Sequence, residues 1–177
     1  MVKSINLYNN FNIKKKHRAS IILIGNFDGL HLGHQKLFTL AQFYKKKYSL
    51  KVGVLTFEPM PKMYFNKNIK NFRISNQKQK INILSKLKVD FIITKKFDKA
   101  FSKTKAIDFI KKIIVRKLSV KYIFVSNNFR FGNKREGDVK LLIKYENKYN
   151  YKIVKPRPLL IKKKWSPQLL SEIIYKM

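Results

Sequence analysis

Cysteine is absent from the 177 residues. No disulfide and no thiolate metal site can therefore form, and the chain suits a reducing compartment. Acidic side chains are scarce, nine against 41 lysines and arginines, which leaves a net charge of +32. Histidine (3), proline (5) and glycine (6) are rare enough that any clustering of them is informative. No apolar run approaches the roughly 20 residues of a bilayer-spanning helix. The first 19 residues are interspersed with Asn and Lys and lack the apolar core of a secretion signal. These absences lead us to expect a soluble, cytoplasmic protein without a membrane partner.

What is present is enough apolar matter to fold: 45% apolar and 14% aromatic residues, well above a disordered composition. The length suits one domain with a full core. A charge of +32 ordinarily suggests nucleic acid, but only six of the 41 basic residues are arginine (Arg18, Arg73, Arg116, Arg130, Arg135, Arg157). Phosphate- and base-reading surfaces favour arginine's planar fork. The lysines are also scattered along the chain, and Lys, Asn, Ile, Phe and Tyr are abundant together, as codon drift in an AT-rich genome would produce. No nucleic-acid partner is expected; the positive field would still attract anionic substrates.

Apolar runs and helical periodicity alternate. Strands are expected at about 20–24, 51–57, 91–94, 122–125 and 151–154, with helices to about Lys47, from Ser75 to about Leu87, over 105–117, over 138–149 and from Ser166 onward. Val2, Ile5 and Leu7 alternate weakly, as in a short edge strand, and 62–74 reads as a loop with room for one turn of helix. Such alternation implies a parallel sheet with helices on both faces, whose ligands bind beyond the carboxyl ends of the strands. The most unusual segments follow the strands at 20–24, 51–57 and 122–125.

The first of these segments is Gly25-Asn26-Phe27-Asp28-Gly29-Leu30-His31-Leu32-Gly33-His34-Gln35. It holds three of the six glycines and two of the three histidines between a strand and a helix. Glycine lets backbone approach a ligand, and the free N–H groups of a helix start attract phosphate. His31 and His34, three apart, can face one phosphate. A zinc site would need a third ligand at workable spacing, and His17 lies before the strand, so no metal site is expected here. Asn26 and Asp28 suit orienting phosphates or meeting Mg²⁺ through water.

His31-Leu32-Gly33-His34 resembles the HxGH signature of nucleotidyltransferases related to class I aminoacyl-tRNA synthetases. The longer string is similar to the bacterial FAD synthetases, usually the N-terminal half of a bifunctional riboflavin kinase/FMN adenylyltransferase. Thr56-Phe57-Glu58-Pro59-Met60-Pro61 resembles that family's TFEPHP motif, with Met60 in place of histidine. Asn127-Asn128-Phe129-Arg130-Phe131-Gly132, with Arg135, Gly137 and Asp138, resembles its NFRFG…GD run, with Ser126 where glycine is usual. The family's ISSTxIR-like motif is represented by Trp165-Ser166-Pro167-Gln168-Leu169-Leu170-Ser171, which keeps the Ser166 hydroxyl and lacks the arginine.

The resemblance implies a Rossmann-like nucleotidyltransferase fold, an α/β architecture with a five-stranded, mainly parallel sheet, as a single domain over 1–177 without a riboflavin kinase domain. It implies adenylyl transfer from ATP, with Mg²⁺, to FMN, giving FAD. Catalytic roles fall to His31, His34 and Asn26. ATP contacts fall to Gly25, Asn26, Phe27, Asp28, Gly29, His31, Gly33, His34 and Ser166; flavin contacts fall to Phe57, Pro59, Asn128, Phe129, Arg130 and Phe131. Two alternatives stay open: a copy that binds flavin or nucleotide without turnover, suggested by the altered 166–171 segment, and an HxGH transferase acting on another phosphate substrate.

Overall fold

Strict alternation along the central strands decides the layering. In the computed structural model, which describes residues 5–29, 32–66, 68 and 76–156, Ile22, Ile24, Leu55, Phe57, Ile93 and Ile123 face one side of a sheet, and Ile21, Leu23, Val52, Val54, Ile92 and Phe124 face the other. Strands with both faces buried are the signature of a parallel sheet between helical layers.

The strands are β1 (Asn6–Tyr8), β2 (Ile21–Ile24), β3 (Val52–Glu58), β4 (Phe91–Lys96), β5 (Tyr122–Phe124) and β8 (Lys152–Val154), in the spatial order β1-β4-β3-β2-β5-β8. Every pairing in this sheet is parallel. The six strands exceed the expected five because the weakly patterned N-terminal segment pairs with β4. A separate antiparallel hairpin, β6 (Arg130–Phe131) with β7 (Gly137–Asp138), folds part of the unusual segment that follows β5.

Helix α1 (Leu32–Tyr48) covers one face through Leu37, Phe38 and Ala41, beside α3 (Gln77–Lys86) with Leu84. The other face is covered by α5 (Ala106–Asp108), which runs on as a π-helical segment, Phe109–Lys117, and by α6 (Val139–Lys144). Phe109, Ile110, Ile113 and Ile114 are buried along this segment, and Leu118 is buried just past its end. The Leu118 N–H donates to the Ile113 carbonyl at 3.0 Å.

Three local expectations shift. Helix α3 is capped by Asn76, one residue beyond Ser75, in a reciprocal box with Gln79. The turn of helix allowed for in 62–74 forms as the short α2 (Pro61–Phe65) and starts one residue earlier, at Pro61, since proline suits the first helical position. The helix expected over 138–149 divides at Tyr145 into α6 and α7 (Glu146–Tyr149). The helix expected from Ser166 lies outside the described residues. Among the described residues no helix is long and apolar enough to cross a membrane.

The chain leaves β2 toward β3 on one side and later returns to β5 on the other. The carboxyl end of β2 is thus the point where strand order reverses, the usual ligand crevice of such sheets. All three unusual segments leave adjacent strands at this rim.

Candidate active site

The turn after β2 is fixed by β3. The Gly25 N–H donates to the Leu55 carbonyl at 3.1 Å, and the Thr56 hydroxyl donates to the Asn26 carbonyl at 3.3 Å. Phe27 takes a positive φ of 48° and Gly29 one of 55°, which folds the chain sharply back toward α1. The Phe27 ring does not face the rim: it is buried, with its centroid 5.2 Å from the His34 ring and 5.1 Å from Phe38, edge-on to both. Any nucleotide contact by Phe27 is therefore left to its backbone. Gly33 and His34 lie in the first turn of α1, and the Nδ1 atom of His34 is buried. Phe27 thus packs edge-on against the imidazole at an interplanar angle of 63°. His31 and Ser166 lie outside the described residues.

Successive residues of a strand point to opposite faces. While Thr56 holds the turn, Phe57 turns to the other side and joins an aromatic cavity of about 140 Å³. Phe97, Phe101 and Phe109 line it from the chain between β4 and β5, and Phe129 and Phe131 from the hairpin. The rings form a continuous set. Phe57 lies 5.6 Å from Phe101, Phe109 lies 5.3 Å from Phe131, and Phe129 stacks on Phe131 at 5.6 Å and 16°. Arg130, Lys134 and Arg135 add positive charge at its border. Such a slot, apolar within and cationic at the edge, suits a flat heteroaromatic group carrying an anion.

The elements around the cavity are capped with care. Asp98 caps the short α4 (Lys99–Ser102) by accepting from the Phe101 N–H at 2.8 Å, and that bond holds its carboxyl below the usual range. Asp138 caps α6 by accepting from Leu141 at 2.9 Å and stands 3.5 Å from Arg130. Gly132 and Gly137 press the hairpin against Ala106: a Cβ at either would fall 2.8 Å from Ala106 atoms. The Asn133 N–H donates to the Thr104 carbonyl at 2.7 Å, and Glu136 accepts from the Ala106 N–H at 2.6 Å.

The expected flavin residues thus separate. Phe57, Phe129, Arg130 and Phe131 converge on one cavity. Pro59 instead borders a broader hollow of about 670 Å³ beside Tyr8, Thr94 and Lys96. Asn128 sits exposed in the turn, accepting from the Ser126 hydroxyl at 2.9 Å, and Met60 is buried away from the cavity. Sequence reading missed Phe97, Phe101, Phe109 and Glu136. The aromatic richness of 97–109 was a visible signal; nothing local marked Glu136.

Residues 13–165 match a family model described as FAD synthetase. Among curated proteins, the chain is 43% identical over 148 residues to a bifunctional riboflavin kinase/FMN adenylyltransferase of Buchnera aphidicola subsp. Acyrthosiphon pisum, covering 84% of this chain and 47% of that protein. The Escherichia coli K12 protein of the same description is 37% identical over 133 residues, 75% of this chain and 42% of the relative. The chain thus spans about half the length of the curated relatives it matches. A crystal structure of a macrolide-efflux protein from Streptococcus pneumoniae matches with a TM-score of 0.71 over 95% of this chain and 55% of that one. At 22% identity, that likeness is one of fold.

Proposed function

Since the chain belongs to the FAD synthetase family, we propose that it transfers the adenylyl group of ATP to FMN, forming FAD and pyrophosphate, with 1–177 acting as one adenylyltransferase domain. The observation that carries this reading is the Thr56–Phe57 pair. One residue fixes the phosphate-side turn and the next lines the aromatic cavity, so a single strand end registers two dissimilar substrates against each other.

In the reaction an FMN phosphate oxygen attacks the α-phosphorus of ATP, and the bond from that phosphorus to the pyrophosphate oxygen breaks. No covalent enzyme nucleophile is required, so positioning and charge neutralisation supply the rate. We assign Gly25, Asn26, Asp28, Gly29 and Gly33 to the triphosphate cradle, with Phe27 contributing backbone, and His31 and His34 to donating hydrogen bonds as charge builds on the transferring phosphate. Ser166 is proposed to reach the same phosphates. ATP is taken as its Mg²⁺ complex; Mg²⁺ is commonly held by substrate phosphates with one or two carboxylates, and the Asp28 carboxylate suits that role. On the flavin side, Phe57, Phe129 and Phe131 are placed against the ring and Arg130 toward the phosphate, with Pro59 and Asn128 at its periphery. The positive field steers both anions, so nucleic acid is not needed to rationalise it, and we place the reaction in the cytoplasm.

Purified protein incubated with FMN, ATP and Mg²⁺ is expected to form FAD, separated by chromatography. No FAD above a His31→Ala/His34→Ala control would sink the reading.

A further inference from the structure

The cavity draws its walls from three stretches that are not contiguous in sequence: α4 with Phe101, the α5–π helix with Phe109, and the β6–β7 hairpin with Phe129 and Phe131. They meet at Thr104–Ala106, the short link between the two helices. There the hairpin is attached by the Asn133–Thr104 backbone bond, by the glycine approaches to Ala106, and by Glu136 on the Ala106 N–H. Glu136 makes the one side-chain bond among them. Lys105, the residue in the N-cap position of α5, supplies no side-chain cap. Glu136, 30 residues beyond Ala106, takes that role through space. The bond is charge-assisted and short, the strong kind.

We propose that Glu136 is a positioning residue for the flavin side of the site: by capping Ala106 it locks the hairpin onto the α5–π helix and sets the spacing of the Phe109 and Phe129–Phe131 walls. It does not line the cavity itself. Its role is to keep the slot at the width of the ring, so that binding does not have to order the hairpin first. The inference rests on the proposed FMN adenylyltransferase activity.

The test compares Glu136→Ala, Glu136→Asp and Glu136→Gln in steady-state FAD formation with FMN and ATP varied separately. Aspartate keeps the charge but shortens the reach; glutamine keeps the reach and an accepting oxygen. Ala and Asp are expected to raise KM for FMN about tenfold, with KM for ATP and kcat within about twofold. Gln is expected to stay within about threefold of wild type. Amide exchange at Ala106, read by NMR, should quicken in Ala and Asp and not in Gln. Equal losses in both KM values and kcat, no loss at all, or an Asp variant that behaves better than Gln would each overturn the proposal. Wild-type protein is assayed first: absence of FAD there refutes the activity, while the Ala106 exchange still decides whether Glu136 ties the hairpin down.

Discussion

Gly132 carries two independent demands, and replacing it with alanine violates both. Its φ of 77° and ψ of 172° lie in a region essentially confined to glycine, where a side chain costs on the order of 1–3 kcal/mol. A Cβ there would also stand 2.8 Å from the N, Cα and Cβ of Ala106. Two of those three atoms are backbone, and the nitrogen is the one that donates to Glu136, so little can yield. Overpacking of this kind adds roughly 1–3 kcal/mol. The sum, about 2–6 kcal/mol, is a large share of the 5–15 kcal/mol that typically holds a domain together. If the hairpin stays in place, Gly132→Ala should lower the melting temperature by roughly 5–20 °C. If it swings outward, stability is spared, but Phe129, Arg130 and Phe131 leave the cavity and FMN binding falls. Urea melts and quenching of flavin fluorescence, measured together, cover both routes. Adding Ala106→Gly removes one of the three clashing atoms and none of the backbone strain, so it should restore less than half of the loss. A Gly132→Ala protein with wild-type urea midpoint and wild-type FMN affinity would refute the reasoning.

Other perturbations reach different parts of the fold. His17 is buried, bonded through Nδ1 to the Tyr8 hydroxyl at 2.7 Å and stacked on Phe91 at 4.5 Å; burial, then the nearby charge of Lys16, lowers its pKa below the ordinary 6.5. The unfolded chain therefore takes up that proton first, so this contribution to stability is whole above about pH 6.5 and is lost as pH falls below it. Urea midpoints against pH should show a shallower acid slope in His17→Gln, and equal slopes would contradict the account. Phe129→Ala removes a half-buried ring stacked on Phe131; it should weaken FMN binding by about 0.5–1.5 kcal/mol and leave ATP binding alone, as separate titrations would reveal. Asn76→Ala dismantles the capping box of α3 and should cost about 1 kcal/mol in chemical denaturation; an unchanged midpoint would count against the cap.

The layered architecture was legible because it follows from short-range rules. Apolar runs such as Ile21–Ile24 can be satisfied only by burial on both faces, and the helical spacing of Leu37, Leu40, Ala41 and Tyr44 leaves α1 one way to lie. Weak signals needed neighbours. Asn6–Tyr8 becomes a strand because β4 offers it a free edge, and residues 109–117 wind as a π-helix that brings Phe109, Ile110, Ile113 and Ile114 to one sheet face.

The sequence by itself determined the glycine- and histidine-marked turn after β2, its place at a strand-to-helix junction, and the resemblance that names its chemistry; these depend on residues adjacent along the chain. Tertiary structure alone decided that Phe27 turns inward against His34, that Pro59 and Asn128 stand apart from the cavity holding Phe57 and Phe131, and that Phe101 and Phe109 complete it. It also brought Glu136 to the Ala106 amide across 30 residues. Such pairings have no local signature, because a side chain's partner across the fold is set by how helices and hairpins pack, and packing answers to the whole core at once.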